Sequence, residues 1–339
     1  MPTVLITPEA MRQVEGPYVA MLRQAGFDIA YPRNPYFARG GCGEQETIEE
    51  LAAAEATIAS GERYSAAVLD ALPRLRVIAR CGVGYDRVDV AAATARGIAV
   101  TITPTTTPEA VAELALGLLF AVAKSVVVND RKVRSGEWPR KLLLPLRGKT
   151  LGIVGLGRIG RGVARRAVAL GMHILAAEPH PDRDFVGRHK IELVELDTLL
   201  ARSDYVTVHC PLTDATRGLF HQGTFEKMKP GSVFINTSRG GVVVEKDLLA
   251  ALQSGRLRGA GLDVYEQEPP AADSPLFQLE NVVLSPHLGG TDETSLEGMG
   301  VEAADCIIQL YRGGWPEGAV VNEALRGTWR WGAERGPLP

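Results

Sequence analysis

The sequence predicts an α/β protein of two domains, each a parallel sheet flanked by helices. Three observations lead there. At roughly 150 residues per domain, 339 residues make about two domains, each large enough to bury its own core. Short apolar runs alternate with helical patterns of roughly 12 to 20 residues almost throughout, as successive βαβ units require. The chain also carries no fixed-period repeat, heptad or low-complexity tract of the kind that marks solenoids and coiled coils.

The amino terminus, MPTVLITPEA, has neither a charged n-region nor a small-residue cleavage site, so Val4–Thr7 reads as a first strand and not as part of a secretory signal. Arg76–Ala79 is the next strand candidate. Thr103-Pro-Thr-Thr-Thr-Pro108 opens a long helical stretch, with Pro placed early where a missing N–H costs little, and forms a natural domain junction. The most apolar stretch follows, Ala110–Val128; its uncharged run, Leu114–Ala123, is too short to span a bilayer and suits a buried helix. Leu151–Gly155, His173–Ala177, Tyr205–His209, Ser232–Asn236 and Asn281–Ser285 supply further strands, each short and rich in β-branched or aliphatic residues. A second junction lies at Pro286-His287-Leu288-Gly289-Gly290, before a helical pattern from about Thr291 to Arg312, and the Pro/Gly-rich tail after Gly313 is expected to be loosely ordered. Two crossings make one domain discontinuous, residues 1–103 plus 290–339, around a central domain of residues 104–289.

Composition excludes several classes of partner. Lys and Arg number 37 against 40 acids, a formal net charge of −3, so the chain lacks the positive field that a phosphate backbone or anionic lipid surface requires. Neither nucleic acid nor a membrane is an expected partner. Cys42, Cys81, Cys210 and Cys306 are scattered without C-x-x-C spacing, as reduced thiols of a cytoplasmic protein are, and no metal site is expected. Cys81, at a strand end, reads as a small buried hydrophobe in preference to a reactive thiol.

The strongest local signal is Thr150-Leu-Gly-Ile-Val-Gly155-Leu156-Gly157-Arg158-Ile159-Gly160, an apolar strand running into G-x-G-x-x-G and then a helix. Gly155 permits the tight turn, Gly157 lets the backbone approach a pyrophosphate, and Gly160 lets helix and strand pack closely. The helix places Ile159, Val163, Ala164, Ala167 and Val168 at core-facing spacing and stops at Gly171. A lone Gly-rich turn is weak evidence, but the next strand ends at Glu178, 18 residues past Gly160, where an acid grips the ribose 2′-hydroxyl and repels a 2′-phosphate. Strand, helix and acid together point to a dinucleotide, NAD in preference to NADP, although His180 and Arg183 just beyond soften that preference.

Three later segments place polar residues at the carboxyl ends of expected strands, where open α/β sheets bind ligands. In Asn236-Thr237-Ser238-Arg239-Gly240 the arginine either presents a planar fork to a carboxylate or is an ordinary turn residue. Gly261-Leu-Asp263-Val-Tyr-Glu266-Gln-Glu268-Pro269 and Ser285-Pro-His287-Leu-Gly-Gly290 supply acids and a histidine. These form a general acid/base pair, or else a loop histidine near solvated acids.

Together the segments resemble the NAD-dependent D-isomer-specific 2-hydroxyacid dehydrogenases, the family of D-3-phosphoglycerate dehydrogenases and glyoxylate/hydroxypyruvate reductases. The resemblance runs from Ala79-Arg-Cys-Gly-Val-Gly84 through Val111-Ala-Glu113, the Gly-rich loop, His209-Cys-Pro-Leu-Thr213, Asn236-Thr-Ser-Arg-Gly240 and Glu266-Gln-Glu-Pro269 to Ser285-Pro-His-Leu-Gly-Gly290. It implies two Rossmann/flavodoxin-like domains with the active site in the cleft between them. It further implies Arg239 as the anchor for the substrate's carboxylate and carbonyl oxygen, His287 as general acid/base with Glu268 as its partner, and Val83 and Gly84 as a main-chain cradle for the carboxylate. Gly155, Gly157, Arg158, Ile159, Gly160, Glu178, Pro211, Thr237, Ser238, Asp263 and Gly289 are the implied cofactor contacts. Hydride transfer between NAD(H) and a small 2-hydroxy or 2-keto acid is the implied reaction. The Pro108–Val128 helix is too apolar for one covered face and matches the family's dimer contact, which implies a homodimer; burial within the chain is the alternative.

Some members that take phosphorylated or dicarboxylic substrates carry arginines on the loop that here reads Ala59-Ser-Gly-Glu62-Arg63-Tyr64, with Glu62 and a single Arg; Arg63 either faces the cleft or is solvated, and a phosphorylated substrate is the less expected one. An appended regulatory module of the kind some phosphoglycerate dehydrogenases carry is not expected. The same scaffold also serves formate and phosphite dehydrogenases and NAD-sensing corepressors. Glu268 argues against formate, where a glutamine stands; a phosphite dehydrogenase and a non-catalytic NAD-binding protein stay open on motif alone.

Overall fold

Five short runs assemble into a parallel sheet: β1 (Thr3–Ile6), β2 (Asp28–Ala30), β3 (Ala56–Ala59), β4 (Val77–Arg80) and β5 (Ala99–Thr101), in the order β2-β1-β3-β4-β5. Side chains alternate across it. Val4 and Ile6 face one core with Val77, Ala79, Ala303, Ala304 and Ile307, while Leu5, Ala59, Ile78 and Val100 face another with Leu51, Val68 and Leu69. In this computed structural model, which describes residues 1–332, the sheet and its helices form one unit of Met1–Thr107 and Gly290 onward; Pro108–Gly289 form a second. Residues 104–107, expected in the central domain, belong to the first unit, because Thr105 Oγ1 donates to Glu302 Oε1 at 3.0 Å and Ser295 Oγ donates to the Thr106 carbonyl at 3.1 Å.

The second unit holds a seven-stranded parallel sheet: β6 (Thr150–Val154), β7 (His173–Ala177), β8 (Glu192–Leu193), β9 (Tyr205–Val208), β10 (Ser232–Asn236), β11 (Leu257–Leu262) and β12 (Val282–Leu284). Their order is β12-β11-β10-β9-β6-β7-β8, so the direction of winding reverses between β6 and β9. That reversal parts the loops at the carboxyl ends of these two strands and makes the place where such sheets take ligands.

β2, β3, β5, β8 and β11 are strands that the apolar-run criterion does not find. Most are two to four residues long and owe their state to pairing with neighbours. β11 is hidden by its glycines, and packing explains them: a Cβ on Gly259 would lie 2.6 Å from the Asn281 carbonyl oxygen and 2.9 Å from Val122, and one on Gly261 would lie 2.9 Å from Leu118. Small residues there let the helix Thr107–Ala123 seat against the sheet.

That helix is shorter than expected. It ends at Ala123, Ser125 adopts a left-handed φ of 50°, and a second helix, Val126–Arg134, departs at 56°. Ala112, Ala115, Leu116, Leu118, Leu119 and Ala123 bury themselves in the unit's core. No single helix among the described residues is long and apolar enough to cross a membrane; the bent pair qualifies by length and composition only, and its first helix is largely buried. Beyond the bend Val126, Val133, Trp138, Leu142 and Leu143 stay exposed.

Two further expectations are corrected. Val168 is 38% exposed: the buried stripe of the helix Arg158–Ala169 runs through Gly160, Val163, Ala164 and Ala167, and Val168 falls at its edge. The tail after Gly313 is packed, not loose. Val321 N donates to the Val100 carbonyl at 2.8 Å, Ile102 N donates to the Ala319 carbonyl at 2.9 Å, and Trp329 Nε1 donates to the Gly97 carbonyl at 2.9 Å. Trp331 then stacks edge-on against Phe27 and Tyr311. Aromatic burial and an otherwise unpaired β5 edge outweigh the flexibility that its Gly and Pro content suggests. The end of that tail, 333–339, lies outside the described residues.

Candidate active site

The Gly-rich loop leaves β6 into the turn at Gly155, whose φ of 95° is open to glycine at little cost. A Cβ there would also lie 2.7 Å from Cys210 N, so this turn and the loop after β9 that carries Pro211 touch at the reversal point. On Gly160 a Cβ would meet the Gly155 carbonyl oxygen at 2.1 Å, and the helix starts close on the turn as a result. Gly157, in contrast, faces open space. It is the N-cap of the twelve-residue helix Arg158–Ala169 and caps no amide with a side chain, so the first N–H groups and the positive end of the helix dipole are left for an anion. Arg158 is exposed and Ile159 half-buried in this first turn.

At the end of β7 the Glu178 carboxylate bridges two loops, with Oε2 accepting from Leu156 N at 2.8 Å and Oε1 from His180 N at 2.9 Å. It therefore sits against the Gly-rich loop. His180 and Arg183 are exposed, and Asp182 holds Arg161 at 2.6 Å. These residues fit a dinucleotide: an unobstructed glycine at the approach point, an uncapped helix start and a fixed acid one strand over.

Three adjacent strands carry the candidate reactive side chains. Arg239 follows β10, Asp263 and Glu268 follow β11, and His287 follows β12, so parallel pairing alone brings their carboxyl ends together. His287 Nδ1 lies 2.9 Å from Glu268 Oε2, and the other oxygen, Glu268 Oε1, accepts from Tyr265 N at 3.1 Å. The Glu268–Pro269 peptide is cis. His287 itself has a left-handed φ of 57°, an unfavourable backbone state for a side-chain-bearing residue. Asp263 holds it there: buried, its two oxygens accept from Leu288 N and Gly289 N at 2.8 Å each. The imidazole is 46% exposed while its acid is 19% exposed, an arrangement in which the ring reaches solvent and the carboxylate braces it from behind.

The Arg239 loop is set by a residue without an assigned role in the sequence reading. Asn236 Oδ1 accepts from Ser238 N at 3.0 Å and from Ser238 Oγ at 2.8 Å, while Asn236 Nδ2 donates to the Arg239 carbonyl at 3.1 Å. Gly240 passes so near the Tyr265–Glu266 backbone that a Cβ would lie 1.8 Å from the Tyr265 carbonyl oxygen. The arginine's loop thus packs on the segment that carries Glu268. An Asn at a strand end, whose side chain can accept from the backbone two residues on, is a local turn signal that could have found it.

His209 is the second residue of this kind. Its Nε2 is 2.9 Å from Thr207 Oγ1 and its Nδ1 is 3.4 Å from Thr237 Oγ1, and burial pushes the ring's pKa down to about 3. It is neutral at ordinary pH. Since an unfolded histidine titrates near about 6.5, the unfolded chain takes up the proton first as pH falls. The stability this ring contributes is full above that value and is lost progressively toward pH 3. Urea midpoints are expected to drop between pH 7 and pH 4.5, with a shallower decline in His209→Gln; an equal decline in both assigns the acid sensitivity elsewhere.

In the first unit, Val83 and Gly84 follow β4 and are half-buried. Nearby Glu62 is buried, accepting from Thr7 Oγ1 and Tyr64 OH at 2.8 Å each, whereas Arg63 is exposed. Burial pushes the Cys81 thiol up to about 12 and the Cys210 thiol up to about 11, which keeps both protonated.

Residues 116–289 match the family model described as D-isomer specific 2-hydroxyacid dehydrogenase, NAD binding domain. The chain belongs to the D-isomer specific 2-hydroxyacid dehydrogenase family. Among its relatives, a glyoxylate reductase of Korarchaeum cryptofilum is 44% identical over 267 residues, 77% of this chain and 80% of that protein. A D-3-phosphoglycerate dehydrogenase of Archaeoglobus fulgidus is 41% identical over 276 residues, 80% of this chain and 52% of that protein. The chain thus spans about half the length of the phosphoglycerate dehydrogenases it matches. In structure it is similar to D-lactate dehydrogenase from Aquifex aeolicus complexed with NAD and lactic acid, with a TM-score of 0.80, 29% identity, and 94% and 98% of the two chains covered. The matched residues include the Gly-rich loop and the His287–Glu268 pair.

Proposed function

We propose that this protein reduces a small, unphosphorylated 2-keto acid to the D-2-hydroxy acid with NADH, and catalyses the reverse oxidation with NAD. The observation that carries the reading is the His287–Glu268 pair at 2.9 Å, one strand from Arg239 and on the same sheet as the Gly-rich loop. When bound at Gly155, Gly157, Arg158, Ile159, Gly160 and Glu178, the cofactor supplies the hydride that adds to the carbonyl carbon. Pro211, Thr237, Ser238, Asp263 and Gly289 line its nicotinamide side in this reading.

The chain's own residues do the rest. Protonated His287 gives its Nε2 proton to the carbonyl oxygen as charge develops there, and Glu268 on Nδ1 holds the ring in that tautomer and steadies the imidazolium that precedes transfer. Arg239 binds the carboxylate and stabilises the oxygen's charge; in the first unit, Val83 and Gly84 offer main-chain N–H groups suited to a carboxylate. In the oxidative direction neutral His287 takes the hydroxyl proton. A buried Glu62 and a single exposed Arg63 offer little to a substrate phosphate, which favours glyoxylate, hydroxypyruvate or pyruvate over a phosphorylated acid.

The exposed apolar segment with Val126, Val133, Trp138, Leu142 and Leu143 fits a homodimer contact, and four free thiols fit a cytoplasmic site of action. Sedimentation at twice the monomer mass is the check on the former. For the activity, purified protein assayed with NADH against glyoxylate, hydroxypyruvate, pyruvate, phenylpyruvate, oxaloacetate and 3-phosphohydroxypyruvate is expected to oxidise NADH with at least one small keto acid, and far more slowly with NADPH. Turnover of phosphite alone, or NADH binding with no turnover, overturns the reading.

A further inference from the structure

The loop Cys81–Gly84 at the end of β4 is held by specific side chains, and one of them lies more than 20 residues on in the sequence. Gly82, with a φ of 122°, donates from its N–H to Thr103 Oγ1 at 2.7 Å, and its carbonyl accepts from Thr103 N at 3.0 Å. One residue therefore grips Gly82 on both sides. Next along the loop the Gly84 carbonyl accepts from Arg80 Nε at 3.1 Å, and Cys81 N is fixed to the Ala59 carbonyl at 2.8 Å. Thr103 is fully buried and Arg80 is 8% exposed, so the grip is formed from rigid, desolvated groups. Within this frame the Val83 and Gly84 N–H groups donate to no other described residue.

We propose that Thr103 is a positioning residue for substrate, clamping Gly82 so that the Val83 and Gly84 N–H groups are preset for a carboxylate, with Arg80 as the second clamp. The inference rests on the 2-keto acid reading and adds to it the residue that shapes its carboxylate cradle. The Gly82 carbonyl and the Val83 N–H belong to one peptide unit. The bond from Thr103 N polarises that unit and strengthens the N–H as a donor, and the bond from Gly82 N to Thr103 Oγ1 fixes the plane in which it points. Arg80 adds a buried positive charge behind the same loop. A glycine at φ 122° has wide conformational freedom, so without the hydroxyl the cradle samples other orientations and loses preorganisation.

Thr103→Val keeps the shape and removes only the hydroxyl. The Michaelis constant for the keto acid is expected to rise roughly tenfold, with kcat and the dissociation constant for NADH little changed. Thr103→Ser, which restores the acceptor, is expected to return the Michaelis constant toward wild type. Fluorescence of the Trp329 and Trp331 cluster reports that the same unit has folded. An unchanged Michaelis constant in Thr103→Val, an equal defect in Thr103→Ser, or weaker NADH binding alongside weaker keto acid use each overturns the clamp. A wild-type protein inert toward every 2-keto acid instead overturns the proposed activity. Calorimetric affinity for oxamate in the presence of NADH then decides the clamp, which requires Thr103→Val to bind it more weakly than wild type.

Discussion

His287→Ala is expected to lower kcat/KM for keto acid reduction by roughly 10²- to 10⁴-fold, the range a positioned general acid supplies. NADH affinity is expected to stay near wild type, since the Gly-rich loop and Glu178 are built on other strands of the sheet. Glu268→Gln tests the other half of the pair. It keeps the shape and a hydrogen bond to Nδ1 but removes the negative charge that steadies the imidazolium, so kcat is expected to fall. His287→Ala with near wild-type turnover, or Glu268→Gln with an unchanged kcat, removes the pair from the chemistry. Parallel measurement of NADH binding separates that result from a loss of fold.

Arg239→Met is expected to cost roughly 10²- to 10³-fold in kcat/KM, as removal of one preorganised charge at a developing oxyanion does. The loss is expected in both kcat and KM, because one guanidinium binds the ground-state carboxylate and the charge that grows on the carbonyl oxygen. Arg239→Lys is expected to recover only part of it: a point charge reaches the oxygen but lacks the planar fork that fixes a carboxylate's orientation. Asn236 and Gly240 hold the Arg239 backbone by contacts that do not use its side chain, so the loop is expected to keep its general path even where the Arg239 Nη1 bond to the Ser238 carbonyl, 2.7 Å long, is lost. Full activity in Arg239→Met, with saturation by keto acid unchanged, excludes the anchoring role.

Both experiments address side chains that sequence reading singles out for different reasons. The Gly-rich loop is legible by itself because its chemistry is local: one turn, one helix start and one acid at the next strand end all lie within about 25 residues. His287 and Glu268 are not legible in that sense. Nineteen positions separate them, and as isolated residues they read as well as a loop histidine and a solvated acid. Their meeting depends on β11 and β12 lying side by side, and β11 is a strand whose glycines conceal it from any apolar-run criterion. Asn236, His209 and Thr103 escape notice for a related reason: each acts on a neighbour's backbone or ring, and nothing in residue type alone announces that.

The order of apolar runs and helical stretches, the dinucleotide loop with its acid, and the set of candidate reactive residues were determined by the sequence itself, since each depends on near neighbours and on periodicity. The resemblance named Glu268 as the partner of His287, and the fold supplies the 2.9 Å contact between them; tertiary structure alone decided how Asp263 holds that histidine in a left-handed conformation, and that the Gly- and Pro-containing tail is packed along β5. The physical reason is the range of the forces involved. Turns and helix starts are fixed by local sterics and hydrogen bonds, whereas strand pairing, buried carboxylate bonds and aromatic packing join residues distant in the chain and are favourable only once the whole unit has closed.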